Sequence, residues 1–304
     1  MKILVTGVGG QLGHDVMNEL IGRGHTGVGS DIAPEYSGVA DGSAVTTAEY
    51  VPMDITDAAQ VSEVITKVSP DVVIHCAAWT AVDAAEDDDK KAKVKAINAD
   101  GTQNIANVCK QLDCKMVYIS TDYVFDGTKT GEYSVDDVKH PLSVYGKSKS
   151  DAEDIVLQAN EGNCVLRISW LFGPSKKNFV ETIINAAQLR STLQVVDDLV
   201  GTPTYTEDLA VLIDTIIQKR CSGILHATNE GFCTWADFAQ EILMVVHSKT
   251  VVQRITSAEY SSKAVRPKNS RLSKSCLDQY DLPRLPTWQD ALKRYLSKRM
   301  QMEE

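Results

Sequence analysis

The chain has 304 residues, of which 43% are hydrophobic, and a formal net charge of −10 at pH 7. This length allows one large domain or two with a substantial core. The negative charge disfavours broad contact with nucleic acid or with an acidic membrane, and no run approaches the roughly 18 apolar residues of a membrane span. The sequence starts directly with strand-like residues, so we expect no signal peptide.

The seven cysteines are scattered along the sequence and form no C-x-x-C pair. This spacing is typical of a reduced chain with buried thiols, so we predict a cytoplasmic protein. It also offers no ligand set for structural zinc, and we predict no metal site.

The sequence opens with a buried, strand-like run that leads at once into a glycine-rich turn. Gly7 would allow a tight turn, Gly10 would let the backbone approach a pyrophosphate, and Gly13 would let the next helix pack on the strand. Gln11 and Leu12 would lie in the first turn of that helix, whose N-terminus would face the phosphates. The pattern predicts a dinucleotide site; the alternative is an ordinary strand-to-helix turn.

The second and third strands lead into residues that suit the adenosine half of a dinucleotide. A strand at 26–30 ends at Asp31, whose carboxylate would accept both ribose hydroxyls and repel a 2′-phosphate. This favours NADH over NADPH, although Asp31 would equally suit a turn before Pro34. The third strand runs into Asp54 and Ile55, which we place at the adenine edge.

A fourth buried strand is predicted at residues 71–76. Ala77 and Ala78 follow it, and their small side chains would let a cofactor pass close to the backbone. His75 lies inside this apolar strand and is interpreted as a core histidine, with a catalytic base as the alternative. A charged helix over residues 86–109 comes next, and its acidic start suits the helix dipole.

A fifth strand at residues 115–120 continues the alternation of strands and helices, which is typical of an α/β protein with a doubly wound parallel sheet. Ligands bind such sheets beyond the carboxyl ends of the strands. Gly7, Asp31, Ala77 and Thr121 all fall at that edge. Their convergence predicts an NAD(P)-binding domain of the Rossmann type.

Tyr145 and Lys149 lie four residues apart at the start of a predicted helix, so their side chains share one face. A phenol titrates near ~10 and a nearby lysine cation favours the phenolate, so the pair can exchange a proton at neutral pH. The Thr121 hydroxyl would hold a substrate carbonyl in line with Tyr145. Such a trio polarises a ketone but supplies no electrons, which a nicotinamide would provide. The alternative is a pair that decorates an exposed helix.

Beyond residue 170 the predicted elements become shorter. Helices are predicted at 178–190, 207–220, 235–246 and 287–298, and strands at 193–196 and 224–227. We expect the last strand to return to the main sheet and the remaining elements to form a smaller C-terminal α/β lobe. The predicted division is 1–170 with 205–228 for the NAD(P)-binding domain and 171–204 with 229–304 for the lobe.

The glycine turn together with Tyr145-x-x-x-Lys149 resembles the extended short-chain dehydrogenase/reductase superfamily. More narrowly, several segments resemble the dTDP-4-dehydrorhamnose reductase family, and together they span nearly the whole chain. These segments are residues 10–13, 77–83, 120–127, 141–149, 167–170, 201–204, 208–210 and 266–272. The resemblance implies reduction of the C4 ketone of dTDP-4-dehydro-L-rhamnose to dTDP-L-rhamnose by NADH or NADPH, the last step of dTDP-rhamnose biosynthesis.

The resemblance also implies roles for individual residues. Thr121, Tyr145 and Lys149 match the catalytic trio of the family, and Tyr145 and Lys149 would also contact the cofactor. The positions that the family uses around the sugar correspond to Thr80, Val82, Asp122, Tyr123 and Trp170. We expect the smaller lobe to bind the nucleotide sugar, in a monomer or a homodimer.

Residues 260–275 carry a cluster of basic side chains and no acid. The cluster consists of Lys263, Arg266, Lys268, Arg271 and Lys274. Arginine forks suit a diphosphate, and the resemblance favours Arg266 and Arg271 as ligands of the nucleotide-sugar diphosphate. On composition alone, a solvated loop is the alternative.

Two other functions remain open at this point. One is a nucleotide-sugar epimerase, dehydratase or reductase of the same superfamily acting on another sugar. The other is a non-catalytic protein, because the regulatory β subunit of methionine adenosyltransferase also resembles this family. The presence of Thr121, Tyr145 and Lys149 counts against a non-catalytic role.

Overall fold

The computed structural model describes residues 1–174 and 177–303. Its strands are β1 (Lys2–Thr6), β2 (Thr26–Asp31), β3 (Glu49–Pro52), β4 (Val72–His75), β5 (Lys115–Thr121), β6 (Cys164–Ile168), β7 (Leu171–Phe172), β8 (Thr192–Val196), β9 (Val200–Gly201), β10 (Thr204–Tyr205), β11 (Gly223–His226), β12 (Cys233–Thr234) and β13 (Val251–Ile255). Its α-helices are α1 (Gln11–Gly22), α2 (Ala58–Val68), α3 (Asp88–Lys95), α4 (Gly101–Leu112), α5 (Val144–Ala159), α6 (Phe179–Leu189), α7 (Thr206–Gln218), α8 (Trp235–Val245) and α9 (Trp288–Glu303).

Among the described strands, seven form one sheet in the order β11-β6-β5-β4-β1-β2-β3, and every pairing in it is parallel. The strand order reverses between β4 and β1, and a crevice opens at such a switch point beyond the carboxyl ends of the strands. The register sets Thr6, the last residue of β1, beside His75 at the end of β4. The predicted doubly wound parallel sheet of the Rossmann type is confirmed.

Amphipathic helices cover both faces of this sheet. On one face α1 packs against α7, with Val16 and Leu20 spaced one turn apart and facing Ile213. On the other face α2, α4 and α5 bury residues such as Ile105 and Val156 against the strands. Each fully buried aliphatic side chain of this kind contributes about 1.5–3 kcal/mol. The two layers hold the strand ends rigidly, and the loops that follow the strands are positioned by them.

The C-terminal elements form a smaller α/β lobe with its own apolar cluster. Helices α6, α8 and α9 pack there around Phe172, Phe238, Trp288 and Leu292. Within the described residues the strands of this lobe pair only two by two, as in the parallel pair β8 and β13. No helix of the described residues is long and apolar enough to cross a membrane.

Strand β6 was not predicted, and Arg167 explains why. An arginine near the middle of a short apolar run argues against a central strand, yet Arg167 is only 1% exposed. Its guanidinium is paired with the buried carboxylate of Glu153 on α5, at 2.8 Å from Nη2 to Oε2. The ion pair lets a charged residue occupy the core, and the sheet gains a strand between β5 and β11.

The predicted helix over residues 86–109 is interrupted. A π-helical turn, Ala96–Asp100, separates α3 from α4, and such turns occur frequently at functional sites. Two smaller differences lie further along the chain. Strand β13 occupies part of the stretch expected to be loop, and α9 continues past the predicted end at residue 298.

Candidate active site

A cleft of about 620 Å³ lies beyond the carboxyl edge of the main sheet. It is lined by all the residues predicted for catalysis and cofactor binding and by five of the seven predicted around the substrate. These lining residues are Gly7, Gly10, Gln11, Leu12, Gly13, Asp31, Asp54, Ile55, Ala77, Ala78, Thr80, Val82, Thr121, Asp122, Tyr123, Tyr145, Lys149 and Trp170. Arg266 and Arg271 are not part of this lining.

The glycine turn has the geometry that a dinucleotide requires. Gly7 has φ +68°, and a Cβ there would lie 2.5 Å from the amide nitrogen of Ala77. A Cβ on Gly13 would collide with the Gly7 carbonyl, so the start of α1 packs directly against the turn. The N-cap of α1 is Gly10, and no side chain caps this helix end. Its first backbone N–H groups are thus available to an anion in the cleft.

The two acidic residues predicted to contact the adenosine are held by hydrogen bonds from nearby residues. Asp31 accepts hydrogen bonds from the N–H of Gly9 at 3.1 Å and from the N–H of Ile32 at 2.8 Å. Asp54 is turned towards Thr56, whose N–H and hydroxyl donate to Asp54 Oδ1 at 2.9 and 2.7 Å. The Asp31 carboxylate is therefore fixed between the glycine turn and the end of β2.

The loop after β4 is fixed by Asn98, a residue that was not predicted. Asn98 lies in the π-helical turn, and its Oδ1 accepts the N–H of Trp79 at 2.8 Å. Its Nδ2 donates to the Ser148 hydroxyl at 2.9 Å. The side chain thus connects the loop that carries Ala78 and Thr80 to helix α5. The only sequence signal would have been a buried polar residue within the apolar face of a charged helix.

Three local interactions position the start of α5. Ser143 caps the helix by accepting the N–H of Gly146 at 3.0 Å, and Glu86 Oε1 accepts the N–H of Val144 at 2.8 Å. A side chain on Gly146 would collide with the carbonyl of Tyr123, so the glycine lets α5 approach the end of β5. Glu86 lies at the acidic start of the charged helix predicted from the sequence, where no functional role was predicted for it. Here it helps to hold the helix that carries Tyr145.

Thr121, the last residue of β5, lies in a short hydrogen-bonded turn beside Tyr145. Its hydroxyl donates to Asp122 Oδ1 at 3.0 Å and accepts the N–H of Tyr123 at 3.2 Å. The rings of Tyr123 and Tyr145 meet edge to face, with centroids 5.8 Å apart. Burial raises the pKa of Asp122 to about 7, against the hydrogen bonds that it accepts. A carboxyl that titrates near neutral pH thus lies next to the predicted catalytic hydroxyls.

Burial controls the acidity of Tyr145. It raises the pKa of the phenol to about 12, the Thr121 hydroxyl opposes this rise, and the charge of Asp122 adds to it. The expectation was that Lys149 would favour the phenolate and lower this pKa. In the structure desolvation outweighs neighbouring charges, because a buried phenolate loses its hydration. Tyr145 is therefore a protonated phenol at neutral pH.

Lys149 is only 3% exposed, and its side chain reaches the floor of the cleft. Its Nζ donates a hydrogen bond to the carbonyl of Ile119 at 2.6 Å. Burial lowers the pKa of Lys149 to about 7, and the charge of Glu153 partly offsets this. The ammonium is thus poised between its charged and neutral forms at physiological pH.

Two stacked tryptophans, Trp170 and Trp235, line one side of the cleft. Trp170 has φ +46°, a backbone conformation that costs a bulky residue about 1–3 kcal/mol. Its indole stacks on that of Trp235 at the start of α8, with centroids 3.7 Å apart and an interplanar angle of 15°. Trp235 lines the cleft and was not predicted. It lies on a distant amphipathic helix, where nothing in the local sequence separates a cleft tryptophan from a core one.

The basic segment at 260–275 lies at the outer rim of this region. Four of its five cations have acidic partners from other parts of the chain. The pairs are Lys263 with Asp87 at 2.5 Å, Arg266 with Asp83 at 2.7 Å, Lys268 with Asp198 at 3.6 Å, and Lys274 with Glu230 at 3.6 Å. The structure supplies acids that the segment itself lacks, so its charge is largely compensated.

The two predicted diphosphate ligands differ in position. Arg266 lies beside Val82 and Tyr123 through its contacts with Asp83 and the Tyr123 phenol, and it also lines a second cavity of about 400 Å³. Arg271 points away, because Nη2 donates to the carbonyl of Thr130 at 2.6 Å. Substrate binding by either arginine stays a prediction, and the position of Arg266 is the better suited to it.

Comparisons with known proteins agree along the whole chain. The family model described as the RmlD substrate binding domain matches residues 1–301. A dTDP-4-dehydrorhamnose reductase of Aggregatibacter actinomycetemcomitans is 36% identical over 304 residues, which cover 96% of this chain and 97% of that protein.

Two solved structures are similar over nearly their full length. That of a dTDP-4-dehydrorhamnose reductase from Clostridium acetobutylicum has a TM-score of 0.88 and 34% identity, covering 99% of this chain and 100% of that one. That of the dTDP-4-dehydrorhamnose reductase from Bacillus anthracis, in complex with NADP, has a TM-score of 0.85 and 32% identity, covering 98% and 99%. The chain belongs to the dTDP-4-dehydrorhamnose reductase family.

Proposed function

We propose that this protein reduces the C4 ketone of dTDP-4-dehydro-L-rhamnose to dTDP-L-rhamnose, the last step of dTDP-rhamnose biosynthesis. The observation that carries the proposal is the grouping of Thr121, Tyr145 and Lys149 in the same cleft as the glycine turn. Support comes from the relatives of similar length that are named dTDP-4-dehydrorhamnose reductase.

The inner end of the cleft fits a nicotinamide dinucleotide. The tight turn at Gly7 and the uncapped start of α1 suit a pyrophosphate, and Ala77 and Ala78 leave the backbone accessible to the cofactor. When bound, the cofactor supplies the hydride that a ketone receives. The relative from Bacillus anthracis that was solved with NADP supports the same class of cofactor.

Tyr145 is proposed to donate the proton that the reduced oxygen receives. Its pKa of about 12 keeps the phenol protonated at neutral pH, yet far more acidic than an alcohol. Thr121 would steady the ketone oxygen beside it. The two hydroxyls are held by the end of β5 and the start of α5, so no loop movement is needed to bring them together.

Lys149 is proposed to hold the nicotinamide ribose and to supply positive charge as Tyr145 gives up its proton. An ammonium near the phenol stabilises the developing phenolate more strongly in a desolvated site than in water. The pKa of about 7 means that this charge is present only in part at neutral pH. Activity is expected to decline as Lys149 loses its proton.

Asp31 is proposed to favour NADH over NADPH. Its carboxylate is fixed by two backbone N–H groups at the adenosine end of the cleft, where a 2′-phosphate would be repelled.

The smaller lobe, residues 171–204 and 229–304, is proposed to bind the nucleotide sugar. Trp170 and Trp235 would provide an apolar wall for the nucleotide sugar, and Arg266 would provide a cation for its diphosphate.

The proposal is tested by following oxidation of NADH with dTDP-4-dehydro-L-rhamnose generated in situ, with analysis of the nucleotide sugars afterwards. We expect NADH consumption matched by dTDP-L-rhamnose. Turnover without added NADH, with cofactor that copurifies, would identify an epimerase or dehydratase instead. Bound NADH with no turnover on any keto-sugar nucleotide would favour the non-catalytic regulatory-subunit function.

A further inference from the structure

The Lys149 ammonium has few interactions that can stabilise its charge. In the described part of the chain its hydrogen-bond acceptor is the Ile119 carbonyl, at 2.6 Å. The nearest acid whose charge acts on it is Glu153. Glu153 accepts hydrogen bonds from Arg167 at 2.9 and 2.8 Å and from the Ser120 hydroxyl, and Lys139 Nζ lies 3.5 Å from its Oε2. No ion pair to Lys149 is present among these residues.

The face of an aromatic ring lies beside this ammonium. Lys149 Nζ is 4.1 Å from the ring centroid of Tyr118 on β5. Tyr118 is 0% exposed, and its ring is packed against His75, with centroids 5.7 Å apart. A cation over the negative face of a ring is attracted to it, and most strongly where both are desolvated.

The other titratable groups around the ammonium are neutral. His75 is held between the hydroxyls of Thr6 at 2.7 Å and Thr102 at 3.1 Å, and burial lowers its pKa to about 3. Burial raises the pKa of Cys76 to about 12 and that of Tyr118 well above its usual value. Tyr145 is protonated as well. Apart from the charge of Glu153, one turn further along α5, the Tyr118 ring is thus the electrostatic partner of Lys149.

We infer that Tyr118 is a positioning residue for Lys149, and that its ring face holds the ammonium against the Ile119 carbonyl at the floor of the cleft. The inference rests on the proposed function for its effect on turnover, but not for its effect on the ammonium itself. The ring, and not the hydroxyl, is the part that acts.

This distinction provides a pair of variants of nearly equal shape. Tyr118→Phe removes the hydroxyl, which lies beside Thr102, and keeps the negative ring face. Incorporation of pentafluorophenylalanine at position 118 keeps a six-membered ring but reverses the sign of the charge on its face. The two proteins differ in electrostatics at Lys149 far more than in packing.

The pKa of Lys149 is measured directly by NMR titration of lysine labelled with ¹³C at Cε, with the Lys149 signal assigned by its loss in Lys149→Met. In Tyr118→Phe we expect the pKa of the native protein, within about 0.3. In the pentafluoro protein we expect a pKa lower by about one unit, because the cation loses its attraction to the ring. At pH 7 the protonated fraction would then fall about fivefold, and kcat with it.

An unchanged pKa in the folded pentafluoro protein would overturn the inference, as would an equal shift in Tyr118→Phe. If the pentafluoro protein does not fold, the mono-, di- and trifluoro analogues give a graded series in which the pKa must fall with each fluorine. Loss of the proposed function is a separate result. A pKa that falls as expected in a protein without reductase activity leaves the contact with Lys149 intact and rejects the proposed reaction.

Discussion

Charged groups are held in opposite ways at the floor of the cleft, around Lys149, and at its rim, around Lys263 and Arg266. At the floor, Lys149 is buried with no ion-pair partner among the described residues, and burial lowers its pKa to about 7. At the rim, Arg266 and Lys263 lie nearer to water and each is paired with a carboxylate. The Arg266 guanidinium holds the pKa of Asp83 well below its usual range. Lys149 is therefore able to exchange a proton near neutral pH, whereas the paired groups at the rim stay ionised.

The contrast separates two kinds of mutational effect. Substitutions at the floor should change turnover and its pH dependence, because the groups there move protons or stabilise charge as it develops. Substitutions at the rim should change affinity for the sugar nucleotide and leave chemistry in the bound complex alone.

The largest effect is expected from Tyr145→Phe. Loss of the proton donor should lower kcat by about 10²–10⁴-fold while the Kd for NADH stays unchanged. Turnover by stopped-flow and NADH binding by fluorescence would measure the two. Tyr280→Phe is a suitable control, because the hydrogen bonds of that hydroxyl within the described part of the chain go to the backbone of Ser222, at 2.9 and 3.3 Å. Turnover of Tyr145→Phe within about tenfold of the native protein would mean that another group donates the proton.

The buried ion pair beneath the floor should dominate stability. Glu153 and Arg167 are 0% and 1% exposed, so Glu153→Gln leaves a buried guanidinium without its counter-charge. We expect a loss of about 3–5 kcal/mol in the free energy of unfolding, measured by urea denaturation. Asp88→Asn is the control, since its partner Lys91 lies 2.7 Å away with both side chains exposed, and such pairs contribute about 0–1 kcal/mol. Equal losses in both variants would contradict the role of burial.

A smaller, selective effect is expected at the rim from Arg266→Ala. The KM for the nucleotide sugar should rise about tenfold or more, because a charge-assisted contact to the diphosphate is lost, whereas the KM for NADH should hold. Lys263→Ala removes a neighbouring cation that is paired with Asp87 and serves as the control. A tenfold fall of kcat without a change in KM would mean that Arg266 takes part in the chemical step, and the distinction between rim and floor would not hold.

The smallest effect is expected from Asp31→Ala. Removing the carboxylate should raise the ratio of kcat/KM for NADPH to that for NADH by about tenfold, since a repulsion of roughly 1–2 kcal/mol is relieved. Glu35→Ala carries the same change of charge in the exposed loop that follows and is expected to leave the ratio unaltered. No gain for NADPH in Asp31→Ala would mean that this acid does not discriminate between the cofactors.

The floor was largely predictable from the sequence, because its signals are local. The glycine turn and the Tyr145 and Lys149 pair each occupy a few consecutive residues whose spacing has a mechanical reason. Their convergence followed from the alternation of strands and helices, which places the carboxyl ends of parallel strands at one edge. The acidity of Tyr145 was not predictable in the same way, since it depends on how much water burial removes.

The rim and the aromatic wall depend on contacts between distant parts of the chain. Asp83 and Arg266 are 183 residues apart in the sequence. The basic segment was therefore recognised from the sequence, but the acid that pairs with Arg266 was not. Trp235 comes to the cleft through the packing of α8 in the smaller lobe, and Asn98 through a π-helical turn. Strand β6 was not predicted because an arginine is expected to be exposed, and the ion pair with Glu153 that lets Arg167 be buried is not visible in the sequence.

Hydride transfer to the sugar can be followed directly with NADH that carries deuterium at C4 of the nicotinamide. With dTDP-4-dehydro-L-rhamnose as substrate, we expect dTDP-L-rhamnose that carries one deuterium at C4 of the sugar and consumes one equivalent of NADH. Tyr145→Phe should slow this transfer without changing the labelled position. Product with hydrogen from solvent at C4, or sugar conversion without loss of label from NADH, would contradict the account.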